Sequence, residues 1–257
     1  MFNNIKLGIK ISINHFDLIP DVYENDEIID FVEISLKPNF ETKDLDIIKK
    51  LKLPYAIHLP NSNDGINFGD IKREKNNIEF IQKIEQNIEI LQQLKPICYI
   101  IHPESGDMNY SISNLMKLRI KPLAIENMPM KGIHGEAMLG YNPIELKSFF
   151  EKVRDLEFCF DINHAIKASI SLKKDSFEFI KEFLNFKKPK VFHIAGGDIN
   201  IEIDNHLHLN NGQYNLLKIK KLLLEYDNPI YLTFETPRNF ENRIRDDLMN
   251  MEIFIKA

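Results

Sequence analysis

LAIENMP, residues 123–129, runs three apolar residues into a glutamate and breaks at a proline. The same form recurs along the chain. AIHLP (56–60) ends at His58, YIIHPES (99–105) at His102, FCFDINH (158–164) at Asp161, VFHIAG (191–196) at His193 and LTFETP (232–237) at Glu235. Each apolar run reads as a buried strand, and each ends in a side chain that can bind metal. Residues so far apart in sequence converge only if their strands are parallel and end on one face. A parallel (β/α)8 barrel, with its chemistry at the C-terminal mouth, provides that arrangement.

The chain has 257 residues, close to the roughly 250 typical of such a barrel, so a single domain over 1–257 is expected. With 44% hydrophobic and 28% charged residues it has the profile of a packed globular protein. A formal net charge of -5 gives no global attraction to nucleic acid, so binding there would need a local basic patch. Cys98 and Cys159 lie inside apolar runs, where a thiol behaves as a small buried hydrophobe. The opening MFNNIKLGIKISI alternates polar and apolar residues, unlike a signal peptide, and no run approaches the roughly 20 apolar residues of a membrane span. A cytoplasmic protein is expected.

Eight strands are predicted, at 5–11, 29–34, 53–58, 97–102, 121–126, 156–161, 190–194 and 229–235. Between them the spacing predicts helices. The clearest covers 73–94, where Ile78, Ile81, Ile84, Ile88, Leu91 and Leu94 recur at helical intervals before Pro96. Weaker patterns occupy 42–51, 142–153, 175–185, 213–226 and 240–255, with room for a short helix at 111–119. Alternation of strand and helix argues for a parallel sheet. An open doubly wound sheet would be the rival, but GxGxxG after the first strand and a P-loop are both missing.

A lone polar residue at a strand end is most often structural. Of the eight histidines, however, His58, His102 and His193 end predicted strands, and His164, His206 and His208 lie in short motifs beside them. In DINH, Asp161 and His164 are three apart. In DNHLH, Asp204 and His206 share one side of an extended segment. This many nitrogen and oxygen donors exceeds the needs of one ion. The set points to a multinuclear site for zinc, manganese or ferrous iron.

Together these motifs resemble the endonuclease IV family within the xylose isomerase-like barrel superfamily, over strands three to eight. The resemblance implies that His58, His102 and Glu126 hold one metal and that Glu126 bridges to a second held by Asp161, His193 and Glu235. It implies a third at His164, Asp204 and His206, with ETP at 235–237 and the DxHxH string at 204–208 also matching. Two or three divalent ions, zinc first, with Glu126, Glu235 and His193 as catalytic residues, would then hydrolyse a phosphodiester in DNA at abasic sites. His208 would orient a ligand or contact substrate. Glu33, at the end of FVEIS, would bind a substrate hydroxyl or pair with a cation, and Lys37, Arg238 and His134 lie on loops where a cation could hold an anionic group. The segment 130–141, with three glycines, would form a substrate loop.

Elsewhere the chain departs from that family. His58 is followed by Leu59, Pro60 and Asn61 where the DNA enzymes insert an aromatic residue, SINHFDLIP lacks their glycine-rich first loop, and HIAGG replaces an Asn-Asp pair. Two further readings therefore stand beside the hydrolase. A sugar or sugar-phosphate isomerase or epimerase with one divalent metal would use only Glu126, Asp161, His193 and Glu235. A multinuclear iron-dependent oxidase acting on a peptide presented by a partner protein is similar in LGIKIS, FVEIS and FHIAG, but usually carries Asn at the position of His164. A purely binding barrel would have let its ligand positions decay, and all nine are intact.

Overall fold

The computed structural model describes residues 4–226 and 229–257. Eight strands, β1 (Ile5–Ser12), β2 (Phe31–Ser35), β3 (Tyr55–His58), β4 (Tyr99–Ile101), β5 (Leu123–Glu126), β6 (Glu157–Asp161), β7 (Val191–Ile194) and β8 (Ile230–Phe234), pair in sequence order. Every pairing is parallel, and β8 closes on β1, forming the expected barrel. Such strands read as continuous apolar runs because both their faces are covered.

Around them lie α1 (Ile19–Tyr23), α2 (Thr42–Ile48), α3 (Glu74–Gln86), α4 (Ile88–Leu94), α5 (Met108–Leu115), α6 (Pro143–Lys152), α7 (Ile162–Ser171), α8 (Ser176–Phe186), α9 (Leu216–Leu224) and α10 (Arg245–Lys256). Asp107, Asn142, Asp175 and Asn215 start α5, α6, α8 and α9 by accepting a backbone N–H that the first turn leaves unpaired. The single helix expected over 73–94 is two helices. Asn87 leaves helical geometry at φ -109°, ψ 14°, and its side chain donates to the Lys83 carbonyl instead. The helix expected over 240–255 begins only at Arg245, after a 3-10 turn over Phe240–Asn242. Helix α7 was not foreseen, because it starts directly on the strand-end motif, with Asp161 as its cap. Among the described residues no helix is long and apolar enough to cross a membrane.

Two apolar cores result. One lies between strands and helices. The other, formed by Ala56, Cys98, Ile100, Ala124, Cys159 and Val191, comes from the alternate, inward-facing positions. Both cysteines are free and fully buried in this inner layer. Its residues are small, so the polar side chains one step further along each strand can converge above them. At the other end Phe31 packs edge-on against Tyr231, with ring centroids 5.2 Å apart, over Gly8. A Cβ on Gly8 would lie 2.3 Å from the Phe31 ring. We therefore expect Gly8→Ala to destabilise the fold by about 1–3 kcal/mol in urea unfolding, and by less in a Phe31→Leu background.

Candidate metal centre

His58, Glu126 and Asp161 are the last residues of β3, β5 and β6, and His193 is the third of four in β7. His102 and Glu235 follow β4 and β8 directly. All six therefore stand at the C-terminal mouth, on the most rigid part of the fold. His164 is the third residue of α7. Asp204 and His206 are on the long loop after β7, which is folded back by reciprocal 2.9 Å hydrogen bonds between Gly196 and Leu207. That approach requires glycine, since a Cβ on Gly196 would lie 2.4 Å from the His208 carbonyl oxygen.

The donor atoms gather in three sets. In the first, His58 Nε2 and His102 Nε2 are 3.2 Å apart and lie 3.4 and 3.2 Å from Glu126 Oε2. The edge of a tetrahedral site with ordinary metal–nitrogen bonds is about 3.3–3.4 Å. In the second, His193 Nδ1 lies 3.3 Å from Glu126 Oε1, 3.2 Å from Glu235 Oε1 and 3.9 Å from Asp161 Oδ2. In the third, Asp204 Oδ2 lies 3.0 Å from His206 Nε2 and 3.6 Å from His164 Nε2. Glu126 thus gives one oxygen to each of the first two sets.

The imidazoles are aimed by their other nitrogens. His58 Nδ1 donates to the Leu59 carbonyl and His164 Nδ1 to the Asn127 carbonyl, each at 2.8 Å. His193 Nε2 donates to Glu33 Oε2 at 2.8 Å, and His102 Nδ1 faces Glu104 Oε1 at 3.3 Å. Fixing a proton on one nitrogen leaves the lone pair of the other turned into the mouth.

Glu126 Oε1 and Oε2, His193 Nδ1 and His206 Nε2 are buried without a hydrogen-bond partner. Buried polar atoms left unpaired are costly and therefore rare. The Glu126 oxygens and His193 Nδ1 face one another and their neighbours, His206 Nε2 faces Asp204, and a bound cation in each set would satisfy them; these groups can hold metal. Without one, protons take its place. Burial would raise the Glu126 carboxyl, but the charges of His193 and His102 outweigh it and hold it well below the usual range. Burial likewise disfavours the imidazolium of His102 and His206, yet Glu126 and Glu104 push the former, and Asp204 the latter, up to about 9.

Of the other residues singled out by sequence, Glu33 is fully buried and accepts from His193 and from Thr233 Oγ1 at 2.8 Å. His208 Nδ1 accepts from Asn250 Nδ2 at 3.0 Å. Arg238 makes a two-pronged pair with Asp247 at 2.6 and 2.8 Å and donates to the Lys10 carbonyl. Lys37 pairs with Asp64 at 2.8 Å, and His134 is exposed near the tip of a hairpin in which Gly132 N–H donates to Glu136 O. A cleft lined in part by Asn61, Ser62, His102, Met128, Ile133 and Asp204 opens beside the first and third sets.

Sequence reasoning missed Lys10. Its ammonium lies 2.5 Å from Glu235 Oε1 and 3.2 Å from Glu33 Oε1. Burial opposes its charge, but Glu235 and Glu33 outweigh burial and raise its pKa. A lysine in the apolar run LGIKIS was the available signal. Asn163 and Tyr214 were missed too: Asn163 Nδ2 donates to Asp204 Oδ1, and the Tyr214 hydroxyl donates to Asn163 Oδ1.

With this geometry in view, comparison with known proteins is informative. The profile of the xylose isomerase-like TIM barrel family matches residues 30–253. The chain belongs to that family. Endonuclease IV from Thermus thermophilus shares its fold with a TM-score of 0.68 at 20% identity, over 98% of this chain and 99% of that one. The 3-keto-D-glucoside 4-epimerase of E. coli does so with a TM-score of 0.69 at 12% identity, over 98% and 100%. A D-tagatose 3-epimerase-like protein gives 0.66 at 18% identity, over 98% of each chain. No curated protein sequence matches. The same barrel thus serves a nuclease and epimerases, and at these identities the likeness speaks for the fold alone.

Ligation needs neutral imidazole, so a metal must displace the protons that His102 and His206 hold up to about pH 9. Zinc affinity should therefore rise between pH 6 and pH 9, by about tenfold per unit for each proton displaced. Calorimetric titrations in buffers of different ionisation enthalpy would check both the slope and the proton release.

Proposed function

We propose that this chain is a metal-dependent hydrolase of phosphodiester bonds, with a centre of two or three divalent ions, zinc first among them, and DNA carrying an abasic site as its substrate. The observation that carries this reading is the division of Glu126: Oε2 faces His58 and His102, Oε1 faces His193 and, at 3.3 Å, His164 Nδ1, and neither oxygen accepts a hydrogen bond. A single-metal enzyme has no use for that. When bound, clustered divalent ions neutralise a phosphate, lower the pKa of water and stabilise a leaving oxygen.

The residues of the chain supply position. Glu126 fixes the separation of the first two sets, and Glu33 turns His193 by holding its far nitrogen. Glu104 takes the Ser62 N–H at 3.1 Å while facing His102, so the loop at Asn61 and Ser62 is tied to a ligand. That loop borders the cleft and offers amide and hydroxyl groups to a substrate. Among the cations on the loops, Lys37, Lys131, Arg238 and Arg243 contribute little to holding phosphate, because each is paired with a carboxylate. Attraction for a phosphodiester would then come mainly from the ions, and DNA binding would depend only weakly on salt.

The epimerase reading needs only Glu126, Asp161, His193 and Glu235, and leaves His58, His102, His164, Asp204 and His206 without a task. We expect protein purified without chelator to contain two or three zinc or manganese ions by elemental analysis and to cleave an abasic duplex. Glu126→Gln should lose metal and reduce turnover by more than about a hundredfold together, whereas His134→Ala should keep its metal. Full occupancy with intact turnover in Glu126→Gln would overturn the assignment. A single ion would favour sugar or sugar-phosphate epimerisation, and bound iron without cleavage would favour oxidation of a peptide delivered by a partner.

A further inference from the structure

Lys10 is the sixth of the eight residues of β1, paired in register with Glu33 on β2. On its other side is β8, whose end carries Glu235. The Lys10 ammonium is thus set into the wall of the mouth between two carboxylates, 2.5 Å from Glu235 Oε1 and 3.2 Å from Glu33 Oε1. Glu235 Oε1 is also the oxygen that lies 3.2 Å from His193 Nδ1. In this arrangement the ammonium sits on the very carboxylate oxygen that faces His193, where an ion held by Asp161, His193 and Glu235 would meet it.

No such rival stands at the first set. His58 Nε2, His102 Nε2 and Glu126 Oε2 lie within 3.4 Å of one another, and among the described residues no lysine or arginine pairs with Glu126. Both Glu126 oxygens lack a donor altogether. Asp204, in the third set, takes hydrogen bonds or ion pairs from His164, His206 and Asn163, none of them a permanent cation. The three sets thus differ in one respect that bears directly on affinity. The charge of Lys10 is felt by His58 of the first set too, but only in the second does it sit directly on a ligand atom, and like charges repel most strongly at short range where water is excluded.

We propose that Lys10 makes the set at Asp161, His193 and Glu235 the weak one of the centre, so that it fills only after the set at His58, His102 and Glu126. The centre loads in a fixed order, and its second position responds to the supply of free metal. To fill it, an ion must displace the ammonium from Glu235; Glu33 is there to keep it. Lys10 is in this sense a positioning and tuning residue, acting on the ligand set rather than on substrate.

This inference rests on reading these side chains as ligands but not on the bond that the enzyme breaks. The test is zinc titration of metal-free full-length protein against a chelating indicator, for the wild type, Lys10→Met and Lys10→Arg. The wild type should bind in resolved steps. Lys10→Met should tighten the weak step by about tenfold or more and the tight one by much less, while Lys10→Arg, which keeps the charge, should retain the weak step. An unchanged titration in Lys10→Met would overturn the proposal. Should that variant fail to fold, anomalous diffraction from wild-type crystals given one equivalent of zinc decides the matter. Density at His58, His102 and Glu126 supports the loading order, and density first at Asp161, His193 and Glu235 refutes it. A protein that loads in the proposed order but cleaves no phosphodiester would keep this inference and lose the hydrolase.

Discussion

A carboxylate with no donor, sealed inside a barrel, is the constraint on which this molecule turns. Glu126 is fully buried at the end of β5 and neither of its oxygens accepts a hydrogen bond. A chain selected for stability alone would have placed an apolar residue there, or given it a partner. The surrounding architecture instead keeps it bare. The small inner layer of Ala56, Cys98, Ala124 and Cys159 leaves the volume above it for polar groups. The histidines around Glu126 direct their spare protons away, to the Leu59 and Asn127 carbonyls and to Glu33.

The cluster neutralises itself by sharing protons between imidazoles and carboxylates, which is why His102 and His206 are basic and Glu126 is acidic. This is the electrostatic counterpart of a metal site, since each shared proton occupies a position where a cation would do better. Outside the cluster the pattern continues. Lys37, Lys131, Arg238 and Arg243 all lie on loops at the mouth, and each is matched to an acid. Those four cations are thereby neutralised where they stand.

Much of this was legible in the sequence because a parallel barrel strand is short, apolar on both faces and ends at one rim. LAIE, VFHI and FCFD announce both a strand and the polar residue it carries to the mouth. Other features were hidden for physical reasons. Helix α7 follows its strand with no loop, so INHAIKASIS reads as part of the strand-end motif instead of a new element. Asn87 ends α3 through a side-chain hydrogen bond that periodicity does not register. Lys10 looks like one polar residue in an apolar run. Its inward direction follows only from the register that pairs Lys10 with Glu33 and Gly8 with Phe31. The roles of Arg238 and Lys37 depend on Asp247 and Asp64, which are neighbours only after folding.

The three ligand sets also differ in what supports them. The first two stand on strand ends, where the ladder of the barrel fixes the backbone. The third takes Asp204 and His206 from a loop, and precise sites are harder to hold on loops. The structure compensates from beneath. Lys167, a fully buried lysine on α7, donates to the Asp198 carbonyl at 2.6 Å and to the Ile201 carbonyl at 3.0 Å, on the stretch leading to Asp204. Burial lowers the pKa of that amine, and carbonyls rather than a carboxylate receive its protons. Asn163, also on α7, finishes the work: it holds Asp204 and is itself held by Tyr214 from the loop before α9, and a Cβ on Gly197 would lie 2.0 Å from the Tyr214 hydroxyl oxygen, so that glycine makes the arrangement possible. One helix therefore carries a ligand, His164, the partner of another, Asn163, and the clamp of the loop, Lys167. The third set is thus held in place from beneath as firmly as the loop allows.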